Sequence, residues 1–241
     1  MIPKIIHYCW FGGKPLPKMA KKCIESWKKY CPDYEIIEWN ETNFDLNYNL
    51  YVKEAYEAKK WAFVTDVVRL YALVTYGGIY MDTDVEILKP LDDFLELEAF
   101  SGFEAKDRIP TGIMASAKSS PLFVELLNDY SEARFLKADG ELDLTTNVKR
   151  ITDKCLKYGL NLNNQKQTVN GLTLFPSDYF CPKDSDTLKI NLTKNSYTIH
   201  HFDGSWLPRN RKFVKFMTKF FGKRFVNILV KIKHFFKAGK K

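Results

Sequence analysis

The segment YGGIYMDTDV, residues 76–85, contains a short apolar run that ends in Asp82 and Asp84. Residues two apart in an extended chain point to the same face, so both carboxylates can converge on one point at the end of a strand. Two like charges held together repel each other unless a cation lies between them. The pattern fits a divalent ion with oxygen ligands that bridges to substrate phosphates, and the alternative is a solvated turn rich in aspartate.

A helix is predicted immediately upstream, over residues 61–76, because apolar residues recur there at intervals of three and four. Asp66 and Arg69 lie three positions apart in this helix and face the same side. An arginine is always charged and suits phosphate recognition, and a nearby carboxylate can accept hydrogen bonds from sugar hydroxyls. The alternative is a surface pair that contributes about 0.2–0.5 kcal/mol.

These two stretches together, AFVTDVVR at 62–69 and GGIYMDTD at 77–84, resemble the core of glycosyltransferase family 32. The opening IPKIIHYCWFGG at 2–13 and the segment PDYEIIEW at 32–39 are also similar to that family. The resemblance spans residues 2–118 and resumes at 197–207. The family includes bacterial capsule and cell-surface polysaccharide transferases, yeast-type α-1,6-mannosyltransferases and the catalytic core of large glucosylating toxins.

Strand and helix patterns alternate along the chain, which indicates an α/β layered fold. The resemblance implies a GT-A-like, Rossmann-type nucleotide-sugar-binding fold with a mixed central sheet, over a catalytic domain of residues 1–208. Residues 159–171 are expected to form a loop. Strands are predicted near 3–8, 34–39, 79–82, 99–103, 111–116, 172–175 and 197–202, and helices near 17–30, 61–76, 120–132 and 144–158.

The first strand leads into Trp10 and the turn Gly12-Gly13, and such a strand–turn junction is where nucleotides dock in open α/β sheets. The resemblance implies that Trp10 stacks on the base of the nucleotide. A buried core tryptophan is the alternative. The resemblance also implies that Tyr80 packs against the donor.

A second cluster of polar residues is IHHFDGSWLP at 199–208. The resemblance implies that a His-x-x-Gly element supplies a third metal ligand, for which His201 is the first candidate and His200 the second. An imidazole beside carboxylates favours Mn²⁺ over Mg²⁺. Ser205 and Trp206 resemble the mobile loop that closes over the donor and holds its diphosphate.

The resemblance assigns further roles. Asp84 is expected to bind the metal directly and Asp82 to bridge ribose and metal, directly or through water. Asp66 is expected to orient the sugar hydroxyls and Arg69 to contact sugar or phosphate. The family often carries Thr-Gly-Pro where this chain has TTN at 145–147, so Asn147 is the candidate beneath the reacting sugar carbon.

The implied activity is a retaining, metal-dependent hexosyl transfer from a nucleotide-sugar, with a UDP-sugar favoured. The expected acceptor is a saccharide, lipid-linked, in capsule or cell-surface polysaccharide synthesis. Two alternatives stay open. A phosphatase of the haloacid dehalogenase type would use Asp82 as nucleophile, although position 86 is Glu where that pattern wants Thr or Val. An inactive sugar-binding scaffold at the membrane would keep the fold without turnover.

Charge is distributed unevenly. Residues 209–241 hold twelve Lys or Arg and no acidic residue, whereas residues 1–208 hold 25 basic and 29 acidic residues. Phenylalanines and other apolar residues recur in this tail at intervals of three and four, which predicts basic amphipathic helices lying on an anionic membrane surface. The alternative is a tail packed on the body. Basicity confined to the tail argues against nucleic-acid binding.

Cysteine usage suggests reduced thiols, since the chain has five cysteines, an odd number, and no Cys-x-x-Cys pair. No secretory leader pattern opens the sequence and no run of eighteen apolar residues occurs in it. The expected location is the cytoplasm, peripheral on the inner face of the plasma membrane.

Overall fold

The computed structural model describes residues 1–105, 107–109, 112–185 and 187–204. Its core is a seven-stranded mixed sheet in the order β2-β1-β3-β6-β5-β8-β7, beside a two-stranded sheet of β4 and β9. The strands are β1 Ile5–Cys9, β2 Glu35–Trp39, β3 Gly78–Met81, β4 Val85–Ile87, β5 Ala99–Gly102, β6 Ile113–Ser116, β7 Gln167–Val169, β8 Leu172–Phe175 and β9 Thr198–His200.

The sheet confirms the predicted α/β class with a mixed central sheet. Strand β1 runs parallel to β2 and β3, β6 is antiparallel to both β3 and β5, and β5 is parallel to β8. The predicted division at residue 208 and the predicted tail helices lie outside the described residues.

The helices cover both faces of the sheet. They are α1 Lys18–Tyr30, α2 Leu50–Glu57, α3 Trp61–Tyr76, α4 Pro121–Asn128, α5 Asn147–Lys157 and α6 Ser177–Phe180, with a 3₁₀ turn at Asp92–Phe94. The four predicted helices are confirmed. Helix α5 begins three residues later than predicted, because the Thr146 side chain accepts the Lys149 N–H and caps the first turn.

Alternation along β3 explains the two apolar layers. Tyr80 faces a core shared with α2, α3, α4 and α5, whereas Ile79 and Met81 face the core beneath α1 and α6. All three side chains are buried. A strand covered on both faces reads as a continuous apolar run, as GIYM does.

The prediction of a loop over residues 159–171 is wrong at its end. Strand β7 pairs antiparallel with β8, across Asn170 and Gly171, whose φ values are 44° and 79°. Two consecutive residues with positive φ form a hairpin turn that matches the twist of the flanking strands. The Asn-Gly pair is the sequence signal for this hairpin.

The junction between α3 and β3 is held by a buried histidine. Gly77 and Gly78 have φ values of 71° and 108°, and a Cβ on Gly78 would lie 2.7 Å from the Ile5 carbonyl oxygen. His7 Nε2 lies 2.8 Å from the Gly77 carbonyl oxygen, and Trp39 Nε1 donates to His7 Nδ1 over 3.2 Å. This junction fixes the end of α3 against the start of β3.

Among the described residues, no helix is long and apolar enough to cross a membrane.

Candidate active site

Two backbone hydrogen bonds hold the turn after β3. The Asp82 N–H donates to the Gly112 carbonyl over 2.8 Å, and the Val85 N–H donates to the Asp82 carbonyl over 3.0 Å. Asp82 and Asp84 are half-buried. The turn therefore presents both carboxylates at the junction of β3 and β4, as the spacing predicted.

A histidine joins the two carboxylates from the far end of the chain. Strand β9 pairs with β4 so that His200 stands opposite Val85, and His200 Nε2 lies 3.3 Å from Asp84 Oδ1. One ligand atom from each of Asp82, Asp84 and His200 lies within 4.8 Å of the other two. Two carboxylate oxygens and one imidazole nitrogen form a donor set that suits Mn²⁺.

The order of the two candidate histidines is corrected by this geometry. His201 was the first candidate for the third ligand, but its Nε2 lies 2.7 Å from Glu86 Oε2. Adjacent residues at a strand end point to opposite sides, so only one of the pair can face the aspartates. His200 takes that position, and His201 ties β9 to β4 through Glu86.

Electrostatics show that this corner of the molecule favours positive charge. Burial alone would raise the pKa of Asp84, yet the neighbouring His200 and the Asp203 N–H, 2.7 Å from Asp84 Oδ2, lower that pKa to about 2. Burial alone would lower the pKa of His200, but the Asp84 carboxylate raises it well above the usual range. The Asp84 carboxylate is therefore ionised and able to face a cation.

A buried ion-pair network links the helix to the turn. Arg69 Nη2 lies 3.2 Å from Asp82 Oδ1 and 3.6 Å from Asp66 Oδ1. Arg69 is held from behind, because its Nε donates to the Thr65 carbonyl over 3.1 Å. Asp66 and Arg69 are 8% and 5% exposed, so the alternative of a solvated surface pair is excluded.

Tyr80 supports this network from inside the core. Its hydroxyl donates to Asp82 Oδ1 over 3.0 Å, and the Arg69 guanidinium lies 4.5 Å from the centre of its ring. Tyr80 is buried, and these contacts orient Asp82 and Arg69. Packing of Tyr80 against the donor stays a prediction.

Asp66 is a carboxyl group with an unusual affinity for protons. Burial and the charge of Asp82 raise its pKa, Arg69 lowers it, and the balance is a pKa of about 7. A carboxyl group in this range can accept a hydrogen bond when ionised and donate one when protonated. Both abilities suit contact with sugar hydroxyls.

Asn147, the candidate beneath the reacting sugar carbon, lies beside Asp66. It is the first residue of α5, it is buried, and its Nδ2 lies 3.5 Å from the Asp66 carbonyl oxygen. Its Oδ1 is buried and has no hydrogen-bond partner among the described residues. An acceptor atom without a partner next to Asp66 is available to a hydroxyl group of a substrate.

Trp10 lies just beyond the end of β1, which neighbours β3 in the sheet. Its N–H donates to the Trp39 carbonyl over 2.9 Å, and its indole N–H donates to the Lys14 carbonyl. Its side chain is half-buried, so stacking of a base on Trp10 stays a prediction. Ser205 and Trp206 lie outside the described residues.

Sequence reasoning missed two residues that shape the site. Glu86 pairs with both His201 and Lys22, at 2.7 Å and 3.0 Å. Gly112 leaves room for His200, since a Cβ there would lie 2.8 Å from His200 Nδ1. Glu86 follows Asp84 by two positions on an extended stretch, a signal that was available. The need for glycine at 112 arises only from the tertiary contact.

Comparison with known proteins supplies independent information. The family model described as "Glycosyltransferase sugar-binding region containing DXD motif" matches residues 17–101, which contain the Asp66–Arg69 pair and both aspartates of the turn. An uncharacterised glycosyltransferase of Acanthamoeba polyphaga mimivirus is 27% identical over 226 residues, covering 86% of this chain and 85% of the relative.

Inositol phosphoceramide mannosyltransferase 3 of Schizosaccharomyces pombe is 29% identical over 145 residues, which is 56% of this chain. The aligned part spans only 38% of that relative's length. Among solved structures, the PaToxG glycosyltransferase superposes with a TM-score of 0.48 at 20% identity, covering 65% of this chain and 69% of the other.

Proposed function

We propose that the chain, whose residues 17–101 match the glycosyltransferase sugar-binding region containing a DXD motif, transfers a hexose from a nucleotide-sugar to a saccharide acceptor. The proposal includes retention of anomeric configuration and a UDP-sugar as the favoured donor. One observation carries it: ligand atoms of Asp82, Asp84 and His200 converge within 4.8 Å, next to the buried Asp66–Arg69 pair.

A divalent cation, with Mn²⁺ preferred over Mg²⁺, would be held by Asp82, Asp84 and His200. When bound, it supplies positive charge that stabilises the departing nucleoside diphosphate. The chain's own groups keep this geometry fixed. Asp82 is oriented by Arg69 and Tyr80, and Asp84 is oriented by the Asp203 N–H.

The donor's sugar is placed against the helix side of the site. Asp66 accepts or donates hydrogen bonds to its hydroxyls, and the unpartnered Oδ1 of Asn147 offers a second acceptor beside it. Arg69 presents a fixed cation toward sugar or phosphate. Trp10 stacks on the base, and Ser205 and Trp206 close over the diphosphate, which excludes water from the reaction.

The proposed acceptor is a lipid-linked saccharide at the cytoplasmic face of the membrane. The name of the fission-yeast relative, inositol phosphoceramide mannosyltransferase 3, describes transfer to a lipid-bearing acceptor, which supports this choice and adds mannose to the sugars to be tested. The basic tail of residues 209–241 would hold the enzyme on an anionic surface. Capsule or cell-surface polysaccharide assembly is the proposed setting.

The test is a thermal-shift panel in Mn²⁺ over UDP-, GDP-, CDP- and dTDP-sugars. A donor at a hundred times its Kd adds about 2.7 kcal/mol to the free energy of unfolding. We expect a shift with one nucleotide class, lost on adding EDTA and lost in Asp84→Asn, which keeps the shape of the side chain. The bound donor is then incubated with acceptors, and the anomeric configuration of the product is read by NMR.

The outcomes separate the alternatives. No shift with any donor would contradict the donor site. Binding of a sugar polymer without metal-dependent turnover would indicate the inactive scaffold. An inverted product would refute retention while leaving the transferase intact.

A further inference from the structure

Helix α1 carries a strip of positive charge on its exposed face. Residues 14–29 hold six lysines and one acidic residue, Glu25, a net charge of +5. The described body of the protein is otherwise acidic, since residues 1–204 hold 25 basic and 29 acidic residues, a net charge of −4. The strip is therefore a local reversal of the body's charge. Its lysines on α1 are Lys18, Lys21, Lys22, Lys28 and Lys29, and Lys14 precedes the helix; all six are exposed.

The strip is one face of a well-packed helix. Ala20, Cys23, Ile24 and Trp27 form the opposite, buried face. The lysines at 18, 21, 22, 28 and 29 fall on the solvent side at helical spacing. A helix of this length is roughly 20 Å long, so the charges form an extended, flat row rather than a compact pocket.

Most of these charges are not used inside the molecule. Lys22 pairs with Glu86 and Lys28 with Glu25, with both lysine side chains at least 60% exposed. Lys18, Lys21 and Lys29 form no ion pair with a described residue. The strip has no Arg, whose planar fork would suit recognition of individual phosphates. Lysine point charges suit a diffuse anionic surface.

The strip also lies beside the last described part of the chain. Trp27 Nε1 donates to the Val85 carbonyl over 2.7 Å, which fastens α1 to β4. Glu86 on β4 pairs with both Lys22 of α1 and His201. The strip and His201 are therefore on the same side of the body, and the basic segment 209–241 follows His201 in the sequence.

We propose that the lysine face of α1 is a second membrane-contact surface that engages anionic phospholipid headgroups together with the tail. This rests on the proposed function only for its setting at a membrane. Two separate basic elements orient a protein on a bilayer, whereas a single tail leaves the body free to rotate. Such an orientation would hold the active-site corner beside β4 at a constant height above the lipid.

The test compares the full chain with two variants of equal charge change. The first is K18Q/K21Q/K28Q/K29Q, which leaves Lys22 in place with its Glu86 contact. The second is K53Q/K118Q/K137Q/K157Q, whose lysines are exposed elsewhere on the body. Gln keeps the helix propensity of Lys. Binding is measured by co-sedimentation with vesicles of phosphatidylcholine alone and with added phosphatidylserine, at two salt concentrations.

We expect the α1 variant to bind phosphatidylserine vesicles at least tenfold more weakly than the unmodified chain, with a smaller dependence on salt. The control variant should lose less than twofold. Equal binding by both variants would overturn the proposal and leave the tail as the sole contact. Binding to double-stranded DNA that depends on the same four lysines, with no vesicle binding, would also overturn it. Donor turnover without vesicles is measured in parallel, so failure of the proposed function would appear separately.

Discussion

At the scale of single residues, the site depends on which of two adjacent histidines faces the aspartates. His200 lies 3.3 Å from Asp84, whereas His201 pairs with Glu86 at 2.7 Å. The two histidines are adjacent in the sequence, so the sequence alone offered no means of choosing between them. Strand pairing makes the choice, because His200 stands directly opposite Val85.

This choice predicts different effects for two similar substitutions. His200→Gln should weaken Mn²⁺ binding at least tenfold, because it removes a nitrogen ligand. His201→Gln should change the affinity less, since Gln can still donate to Glu86. Isothermal titration with Mn²⁺ measures both, and circular dichroism checks that both variants fold. A larger loss with His201→Gln would return the third ligand to that residue.

At the scale of secondary-structure elements, the junction between α3 and β3 joins the helix that carries Asp66 and Arg69 to the strand that precedes Asp82 and Asp84. His7 holds this junction in its neutral form, because burial lowers its pKa while the Gly77 carbonyl favours a proton on Nε2. A histidine whose pKa is lowered by folding binds a proton more readily in the unfolded chain. The stabilisation that His7 contributes is therefore complete above pH 6.5, the ordinary pKa of histidine, and is lost as the pH falls below that value.

We accordingly expect the difference in melting temperature between the unmodified chain and His7→Gln, whose amide can donate to the same carbonyl, to shrink between pH 7.5 and pH 5.5. The comparison isolates His7, because the raised pKa values of Asp66 and His200 act in the opposite direction in both proteins. Each kcal/mol of difference corresponds to about 2–4 °C for a chain of this size. Differential scanning calorimetry at the two pH values measures the effect, and the same difference at both would show that His7 contributes nothing to it.

Tyr130 has a buried hydroxyl without a hydrogen-bond partner among the described residues. Its ring packs edge to face with Tyr51 at 4.9 Å, and the Arg150 guanidinium lies 5.1 Å from the centre of the Tyr130 ring. Leaving such a group unpaired costs about 1–3 kcal/mol.

Tyr130→Phe should therefore leave the free energy of unfolding unchanged or raise it by about 1 kcal/mol. Tyr8→Phe is the matched control, because the Tyr8 hydroxyl donates to Glu38 over 2.5 Å and its loss should destabilise the protein. Urea unfolding of both variants measures the difference. Destabilisation of equal size would mean that Tyr130 has a partner after all.

The elements show how far sequence reasoning extends. Helix α3 and strand β3 can be predicted from apolar periodicity and from the glycine pair between them. The convergence of Asp82 and Asp84 can be predicted because residues two apart in an extended chain face the same side. Helix α2 was missed, although Asn49 caps it through the Val52 N–H, because its eight residues carry a short pattern. The contact of Gly112 with His200 and the burial of Tyr80 were beyond prediction, since each depends on residues far away in the chain.

At the scale of the whole molecule, the two apolar layers contain four of the five cysteines, Cys9 and Cys155 in one and Cys23 and Cys31 in the other. Cys181 is buried outside these two clusters, and all five thiols are free. Burial raises the pKa of Cys23 and Cys155 to about 12 and that of Cys31 to about 11. It also raises the pKa of Cys9 and Cys181. The reactive thiolate is therefore scarce throughout the folded chain.

We expect native protein to react with iodoacetamide at less than about one hundredth of the rate measured in guanidinium chloride. Mass spectrometry of the labelled protein counts the modified thiols over time. Rapid native labelling of one cysteine would show that its layer opens locally. Uniformly slow labelling would confirm that both layers close completely around the sheet.

The pairing of β4 with β9 has a consequence for the timing of activity. The contacts that complete the site join residues 115 and 119 positions apart, Glu86 to His201 and Asp84 to Asp203. A growing chain can therefore assemble most of the central sheet before the residues that complete the candidate site are synthesised. Under the proposed function, transfer begins only after β9 pairs with β4, so a nascent fragment shorter than about 200 residues would have most of the sheet and an incomplete site.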